Sequence, residues 1–483
     1  MAQAELHPID KRRVVIGLTI LAVMSALVLI IPNQMGLDLP MPLLLSGIIL
    51  LGVYIILSVE ILHRTTIALI GATAMIVLVI SSGLLSAHES FDFVVEAIDF
   101  NTIGLLLGMM IIVEILSETG MFQYIGIRIA KKAKGNVWII MLMLAVFTST
   151  VSAFIDNVTT ILLMVPVTIS ICRIMKVNPI PLILVQVLMS NIGGATTLIG
   201  DPPNIMIGSA AGISFNDFII NLTPTVAVAF VVGIFYLKFA YRGYLRESEQ
   251  NPARSAVFEL NEMEQIKDRA LLKKSIAVLG GVIALFVIHD SIGLLPSVIA
   301  LGGAAFLFVI TRASPDRILP KVYWTTLMFF AALFVIVAGA EKAGLISKLA
   351  ETAIGITGGN LVFATFIIIW LAAFASSFVD NIPFTATMIP LIMEISTDPS
   401  FASALGKFDI NPLWWALSIG ANLGGNGTLI GSSAAIISVG LAEKEGHRIT
   451  FMYFMKIGMP FMILTVFIAS MVLVIERGIL SFG

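Results

Sequence analysis

The sequence predicts an all-α polytopic membrane protein: about 11 transmembrane helices plus two re-entrant helical hairpins, in inverted five-helix repeats with helices broken at the midplane. Three observations favour this fold class. The chain of 483 residues is 58% hydrophobic and only 12% charged, whereas a soluble domain carries about 25% charged residues. Several apolar segments exceed the roughly 18 residues needed to cross the bilayer. Two glycine-rich motifs also interrupt apolar segments at matching places in the two halves, which is typical of a transporter's binding site.

The apolar segments follow one another along the chain with one long polar interruption. Residues 1–40 hold a polar start and one apolar segment, and we interpret them as an uncleaved N-terminal lead helix. The polar interruption at 242–274 is rich in Glu, Arg, Lys and Asn and reads as a cytoplasmic linker, helical in part over 258–272. It separates a first inverted repeat, 41–241, from a second, 275–483.

The two repeats align at a fixed offset. A shift of 224 residues places Asp156 on Asp380 and Asn157 on Asn381. At the glycine motifs the shift becomes 231, because the second half has extra residues there, and Asn191 then matches Asn422. Two halves that each carry one Asp-Asn pair and one Gly-Gly motif indicate a duplicated unit.

Each Asp-Asn pair is predicted to lie at the tip of a re-entrant hairpin. Only Asp156-Asn157 separates the apolar segments 137–155 and 158–171, which leaves no room for a turn between two full spans. A hairpin that enters and leaves on one side satisfies the backbone better. The matching hairpin is 360–396, with Asp380-Asn381 at its tip.

The distribution of basic residues predicts the orientation. With the N-terminus inside and both hairpins re-entrant, all but four of the 28 Lys and Arg residues fall on the cytoplasmic side, as the positive-inside bias requires. The C-terminus is then outside, and five spans per half give the halves opposite topologies. We therefore expect a multi-pass protein of the cytoplasmic (inner) membrane. The four exceptions are Lys342, Lys348, Lys407 and Arg477.

Three aspartates are the leading candidates for ion coupling. Asp156 and Asp380 sit in apolar surroundings, where an ionised carboxylate is costly unless paired or solvated. The alternative is that each simply caps the following helix. Burial favours the protonated carboxyl, whereas a helix N-terminus favours the charged carboxylate. Either aspartate could therefore exchange a proton. Asp201, which precedes Pro202 in the first glycine motif, matches Ser432 and has no acidic counterpart.

Amide and hydroxyl side chains complete the predicted substrate and ion site. Sodium could be held by Asp156, Asn157 and Asn381, with no other metal expected. The glycines could expose backbone carbonyls to the solute, or they could let helices approach closely, and both alternatives stay open. The remaining polar candidates are Asn191, Thr196, Thr197, Asn204, Asn422, Asn426 and Thr428, and the glycines are Gly193, Gly194, Gly424 and Gly425.

Other function classes are disfavoured by composition. A net charge of −2 gives no basic excess for nucleic acid. The single Cys172 excludes an intrachain disulfide and a multi-thiolate metal site, and the five histidines show no metal-binding spacing. No cofactor is expected. No phosphate-binding P-loop motif is present, so energy should come from ion gradients, with a separate ATPase subunit as a further candidate partner.

At its paired motifs the sequence resembles the arsenite permease (ArsB), P-protein and NhaD-type antiporter branch of the ion transporter superfamily, and more distantly the sodium–dicarboxylate symporters. The residues that carry the resemblance are Phe154–Pro166 and Asn191–Asn204, and the likeness covers the chain after the first helix. It implies a two-hairpin inverted repeat that often forms a homodimer. The site residues that it implies are Asp156, Asn157, Asn191, Asp201, Asn381 and Asn422.

The leading functional hypothesis is a proton-coupled antiporter that exports arsenite or antimonite. The symporters carry Ser-Asn-Thr at the hairpin tips, whereas this chain has Asp156-Asn157-Val158, a departure that favours protons over sodium–carboxylate transport. The alternatives are a sodium/proton antiporter, a carboxylate transporter and a channel. An intramembrane aspartyl protease also needs two buried aspartates, but its Gly-x-Gly-Asp motif is absent. The expected partners are a small inorganic ion or oxyanion, protons or sodium, and the lipid bilayer.

Overall fold

The computed structural model describes residues 11–34, 39–59, 62–251, 256, 258 and 260–476. Within these ranges the regular structure is helical, without a β-strand, as predicted. Two 3₁₀ turns, Glu262–Gln265 and Leu319–Lys321, accompany the α-helices. In chain order the helices are α1 (Lys11–Gln34), α2 (Met41–Val59), α3 (Arg64–Ser81), α4 (Ser90–Ala97), α5 (Phe100–Ser117), α6 (Met121–Lys132), α7 (Val137–Ser152), α8 (Asn157–Met175), α9 (Ile180–Gly194), α10 (Pro202–Ala211), α11 (Phe215–Ala240), α12 (Arg242–Glu249), α13 (Arg269–Ile292), α14 (Pro296–Thr311), α15 (Pro315–Ile318), α16 (Trp324–Lys342), α17 (Leu345–Thr357), α18 (Leu361–Phe378), α19 (Asn381–Thr397), α20 (Pro399–Leu405), α21 (Pro412–Gly424), α22 (Ser433–Lys444) and α23 (Phe451–Glu476).

Nine helices in the described ranges are long and apolar enough to cross a membrane, or ten when the bent pair α14 and α15 is counted as one span. The sequence predicts about 11. Four predicted spans fall outside the nine: the lead helix α1, the two spans that are broken into shorter helices (α9 with α10 and α21 with α22), and α14, which counts only together with α15. Conversely, the hairpin arms α8 and α18 are long enough to count as spans. The protein is a multi-pass membrane protein.

Several short helices were not predicted, because they lack long apolar runs. Helix α6 follows Gly120 and helix α17 follows Gly344, and both glycines have positive φ (79° and 84°), a conformation that glycine adopts without strain. The linker also differs from expectation. Its first helix is α12, directly after α11, and α13 begins at Arg269 rather than following a helix over 258–272. The start of the lead segment 1–40 and the C-terminus lie partly outside the described residues.

The chain divides into two compact units. One comprises residues 1–99, 324–356 and 386–395, and the other comprises 100–323, 357–385 and 396–483. In the first unit, α3 packs on α16 and α2. The second unit contains both hairpin tips and both broken helices. It therefore holds all the predicted site residues. The division into two sequence repeats joined by a linker stays a prediction.

The first hairpin, α7 and α8, begins and ends on the side of the linker. At its start, the Lys238 ammonium lies 4.8 Å from the centre of the Trp138 ring. At its end, the Tyr244 hydroxyl donates to the Asn178 carbonyl (2.8 Å), and Asn251 donates to the Met175 carbonyl (3.2 Å). Both ends of the hairpin thus meet the segment around α12, as a re-entrant pair requires. We call this side of the second unit the linker face.

The second hairpin, α18 and α19, also returns to the side from which it starts. Just before α18, Gly359 packs on Ser400 of α20, which directly follows α19. Asn411, before α21, donates to the Ser396 hydroxyl (2.6 Å). The broken helix α21–α22 starts at this base and ends on the linker face, where Arg173 pairs with Glu445. The two hairpins therefore open in opposite directions.

Helices α11 and α23, which end the two halves, run antiparallel. Tyr236 donates to the Ile457 carbonyl (3.0 Å). One turn earlier in α11, Gly233 packs against Phe461, one turn later in α23. Antiparallel packing of equivalent helices is what an inverted repeat produces.

Candidate functional site

The helix breaks are held against the hairpins by close backbone contact. A Cβ on Gly193 would lie 2.0 Å from the Ser149 carbonyl oxygen, and a Cβ on Gly424 would lie 2.6 Å from that of Ala373. Either clash would force the helices apart, so only glycine permits this approach. Gly193 and Gly424 are 231 residues apart, and their neighbours Ser149 and Ala373 are 224 residues apart. These are the two offsets that align the repeats in the sequence. The same contact between a glycine of the helix break and its hairpin therefore occurs in both halves.

Each of the other two glycines faces a second glycine on the far side of its own helix break. A Cβ on Gly194 would be 2.8 Å from the Gly200 carbonyl oxygen, and one on Gly425 would be 3.1 Å from that of Gly431. These contacts give the glycines a packing role. The Gly194 carbonyl also accepts a hydrogen bond from Asn204 (3.2 Å). A role in holding a solute stays a prediction.

Hydroxyl groups tie each hairpin to its helix break in the same way in both halves. The Ser152 hydroxyl donates to the Ser190 carbonyl and the Ser376 hydroxyl to the Ala421 carbonyl, both at 2.7 Å. Similarly, Thr197 and Thr428 donate to carbonyls at the hairpin tips, those of Ala153 and Ser377. These two threonines are therefore held inside the protein framework. Thr196 is half-buried within the break, where its amide bonds to the Gly193 carbonyl (3.0 Å).

Asp201 lies at the centre, where the two hairpin tips meet. Its side chain is fully buried. The amide of Asn157, from the first tip, donates to Oδ2 at 2.5 Å. The amide of Asn381, from the second tip, donates to both carboxylate oxygens at 3.3 Å. One carboxylate thus joins residues far apart in sequence, and amide donors partly compensate the cost of burying its charge.

A second group of polar side chains surrounds Asn191. Its Oδ1 accepts from the Asn157 amide (3.0 Å) and the Ser432 hydroxyl (3.1 Å), and its own amide donates to Asn426 Oδ1 (2.9 Å). Asn191 therefore links the first tip to the second helix break. All four side chains are buried.

A third set of hydrogen bonds joins the first helix break to the second. Asn204 Oδ1 accepts from the Asn422 amide (2.9 Å) and the Ser418 hydroxyl (2.6 Å). The Asn204 amide in turn donates to the Thr197 carbonyl (2.8 Å). The hydrogen bonds of Asn204 have no counterpart in the second half, because the offset of 231 places Ala435 at the position that matches Asn204.

Asp156 and Asp380 flank this centre and are half-buried. Asp156 caps α8: Oδ1 accepts from the Thr159 amide (2.9 Å) and Oδ2 from the Thr159 hydroxyl (2.5 Å). Asp380 accepts from the Ile382 amide (3.1 Å) and from the Ser433 hydroxyl (2.5 Å). The capping alternative is thus observed at Asp156. This capping role does not exclude a role in coupling, because the carboxylate still lies beside the polar centre.

The predicted sodium ligands do not converge as a set. Asn157 and Asn381 meet at Asp201, whereas Asp156 is held by Thr159. Among the described residues, no cluster of three or more His, Cys, Asp and Glu side chains could hold a metal ion.

Two buried polar atoms of the described site have no hydrogen-bond partner: Asn422 Oδ1 and Asn426 Nδ2. A buried polar group without a partner is costly. These atoms offer one acceptor and one donor next to the network, which is where a polar solute or water would be stabilised.

The side chains of the site include acidic residues and no basic ones. Segments 137–172, 177–237, 349–406 and 408–443 build the hairpins and breaks and contain no Lys or Arg. They contribute Asp156, Asp201 and Asp380 to the centre. A site of this composition attracts protons or metal cations more readily than free anions.

Sequence reasoning missed four hydroxyl side chains of the site, Ser418, Ser433, Ser152 and Ser376. The last two align at the repeat offset of 224, and that alignment was a usable signal. Ser418 precedes Asn422 by one helical turn in α21 and so shares its face. Ser433 carried no signal beyond its place after the second glycine motif.

Comparison with known proteins identifies the family. A family model described as citrate transporter (CitMHS) matches residues 53–420. The chain belongs to the CitMHS family. An uncharacterized transporter of Mycobacterium tuberculosis is 40% identical to this CitMHS chain over 85% of the chain and 93% of the relative. The P protein of Homo sapiens is 33% identical over 90% of this chain and 60% of its own length.

The fold is also shared with a solved structure. The YdaH transporter of Alcanivorax borkumensis matches with a TM-score of 0.55 at 14% identity, covering 91% of this chain and 98% of that one. The family model and the relatives, rather than this structure, show that the chain is a membrane transporter and not an enzyme, which removes the protease alternative. The resemblance to P protein is confirmed, while the likeness to arsenite permeases and NhaD-type antiporters stays a prediction.

Proposed function

We propose that this CitMHS-family transporter is a proton-coupled antiporter in which Asp201, flanked by Asp156 and Asp380, carries the coupling proton. The supporting observation is a fully buried carboxylate contacted by the amides of both hairpin tips, in segments without a basic residue. Protonation would remove a buried charge and change the hydrogen bonds that join the two tips. Binding and release of a proton would thereby alter how the hairpins are held together.

We propose arsenite or antimonite as the exported solute, moved out across the cytoplasmic membrane. At neutral pH arsenite is an uncharged trihydroxide, which suits amide and hydroxyl partners such as Asn422 and Asn426. Cys172, the single cysteine, is buried, so a trap of three thiolates is not available. The homodimer and the separate ATPase subunit expected from the sequence remain predictions.

Sodium/proton antiport is the second candidate. Carboxylate, amide and hydroxyl oxygens of Asp201, Asn191 and Ser432 are ligands that a hard cation accepts, and the acidic side chains of the site support it. A carboxylate solute is the third candidate, suggested by the citrate in the family description. A free tricarboxylate would meet three aspartates and no basic side chain in the site segments, so it would need accompanying cations.

The experiment is transport by purified protein in liposomes that contain a pH-sensitive dye. A pH gradient is imposed, and arsenite, sodium and citrate are tested in parallel. Proton movement on adding arsenite, with little effect of sodium or citrate, is the expected result. A response to sodium alone would favour the second candidate and a response to citrate the third. No proton movement with any of the three would contradict proton coupling.

A further inference from the structure

A small cavity in the second unit reaches toward Asp156 from the end of α5, where the Lys267 amide of the linker donates to the Thr119 carbonyl (3.0 Å). It lies between α5, α8 and the segment that follows α15. Its polar lining consists of Glu114, Ser117, Thr159, Lys321 and Tyr323, with apolar side chains of α5 and α8 between them. The coupling scheme above makes no use of Glu114.

The outer end of the cavity is a cluster of charges in contact with solvent. Lys321 Nζ lies 3.2 Å from a Glu114 carboxylate oxygen and 2.5 Å from Glu118. Arg317 pairs with Glu118 at 2.5 Å. Glu118 is thus matched by two cations, whereas Glu114 shares one and lines the cavity. The Glu114 side chain is 22% exposed, enough to exchange a proton with water.

The inner end of the cavity is Thr159, whose hydroxyl donates to Asp156 Oδ2 (2.5 Å). The space open to the centre of a water molecule is about 20 Å³, and ~10–15 Å³ is enough to hold one water. Carboxylate, hydroxyl and phenol groups give that water the 2–4 polar partners that it needs. The path from Glu114 to Asp156 thus has room for one relay molecule.

Tyr323 borders the same space. Burial and the negative charges of Asp156 and Glu114 raise the pKa of its phenol to about 12. The phenol therefore keeps its proton and acts as a fixed polar neighbour, not as a relay. Helix α14, packed along α5, carries no charged residue. The charged groups that interact with Glu114 are Lys321 and Glu118, and Arg317 in turn pairs with Glu118.

We propose that Glu114 is the access point through which protons from solvent reach Asp156, by way of one water in this cavity and the Thr159 hydroxyl. The Glu114 carboxylate first takes up a proton from solvent and releases it to the water, the water passes a proton to Thr159 Oγ1, and the original hydroxyl proton moves to Asp156 Oδ2. Glu114 returns to its carboxylate form, and one proton has moved from solvent to Asp156 with no charge lost or created. This proposal rests on the proposed proton coupling.

The test compares Glu114→Gln with Glu118→Gln, which removes a charge from the same cluster but not from the cavity. Two rates are measured in liposomes, with whichever of arsenite, sodium and citrate drives proton movement in the wild type. One is net flux driven by a pH gradient. The other is exchange of labelled solute for unlabelled solute at equal pH, which needs no net proton delivery.

We expect Glu114→Gln to lose at least tenfold in net flux and less than twofold in exchange, while Glu118→Gln changes neither by more than twofold. Glu114→Asp should recover part of the flux, and Thr159→Val should reproduce the selective loss. Unchanged net flux in Glu114→Gln, or equal loss of flux and exchange, would overturn the route but not the proposed function. Absence of proton movement in the wild type would overturn both.

Discussion

Asp201 is the residue on which the two halves of the chain converge, since Asn157 and Asn381 contact its carboxylate from opposite hairpins. The sequence indicated this residue through its place between Gly200 and Pro202. It could not indicate the partners, because those distances depend on how two tips pack. The duplicated Asp-Asn pairs indicated Asp156 and Asp380 as equal candidates. The structure places these two at the flanks, where they accept hydrogen bonds from Thr159 and Ser433.

At this scale we predict that Asp156→Asn abolishes proton-coupled transport but leaves the protein folded in the membrane. The asparagine oxygen can still accept from the Thr159 amide, so most of the capping energy of ~1 kcal/mol is retained. The ionisable group, however, is lost. Flux in liposomes and thermal unfolding of the purified protein check both parts.

The matched control is Asp217→Asn, because Asp217 caps α11 with Ser214 outside the site. It should leave transport within twofold. Normal pH-driven transport by Asp156→Asn would show that this carboxylate has no coupling role.

The broken helices are the elements whose existence the sequence predicted best. Glycine pairs followed by Asp201-Pro202-Pro203, or by Ser432, end α9 and α21 where the structure ends them. The hairpins were predictable for a similar reason, since Asp156-Asn157 leaves no length for a connection between two spans. The cross-link between Asn204 and Asn422 was not predictable. It departs from the repeat, because Ala435 stands at the matching position in the second half.

The contact of each broken helix with its hairpin predicts a clear substitution effect. Gly193→Ala and Gly424→Ala place a methyl group 2.0 and 2.6 Å from a backbone oxygen, so the hairpin must move. We expect a loss of about 2 kcal/mol or more in stability, by analogy with overpacking in other cores, and a loss of transport. Thermal unfolding and flux measure the two effects.

Gly281→Ala in α13 is the control, since nothing lies within 4 Å of an added Cβ there. That change should be neutral or stabilise the helix by up to ~1 kcal/mol. Equal behaviour of the Gly193 and Gly281 variants would contradict the close contact.

At the scale of the whole molecule, the two hairpins open toward opposite faces of the second unit. The sequence predicted this inversion from its five spans per half, and the antiparallel pair α11 and α23 supports it. The short helices α6 and α17 escaped prediction, because they are amphipathic helices of 12 and 13 residues and contain no long apolar segment. Placing the linker face in the cytoplasm rests on the distribution of basic residues and stays a prediction.

Membrane sidedness can be tested with single cysteines in a Cys172→Ser background. Lys132→Cys and Arg173→Cys mark the two ends of the first hairpin, and Asn360→Cys and Ser400→Cys mark the ends of the second. All four positions are exposed. An impermeant thiol reagent should label the first pair from the cytoplasmic side only and the second pair from the outer side only. Labelling of the two ends of one hairpin from different sides would show that the hairpin spans the membrane.

The most direct test of the central claim is net proton flux through Asp201→Asn in liposomes under a pH gradient, compared with wild type and with Asp290→Asn, an exposed carboxylate at the end of α13. The asparagine keeps an acceptor for the hairpin amides but cannot carry a proton. We predict that Asp201→Asn retains less than a tenth of the wild-type flux while remaining folded, and that Asp290→Asn stays within twofold of wild type. Undiminished proton-coupled flux in Asp201→Asn would contradict the claim that this buried carboxylate couples transport to protons.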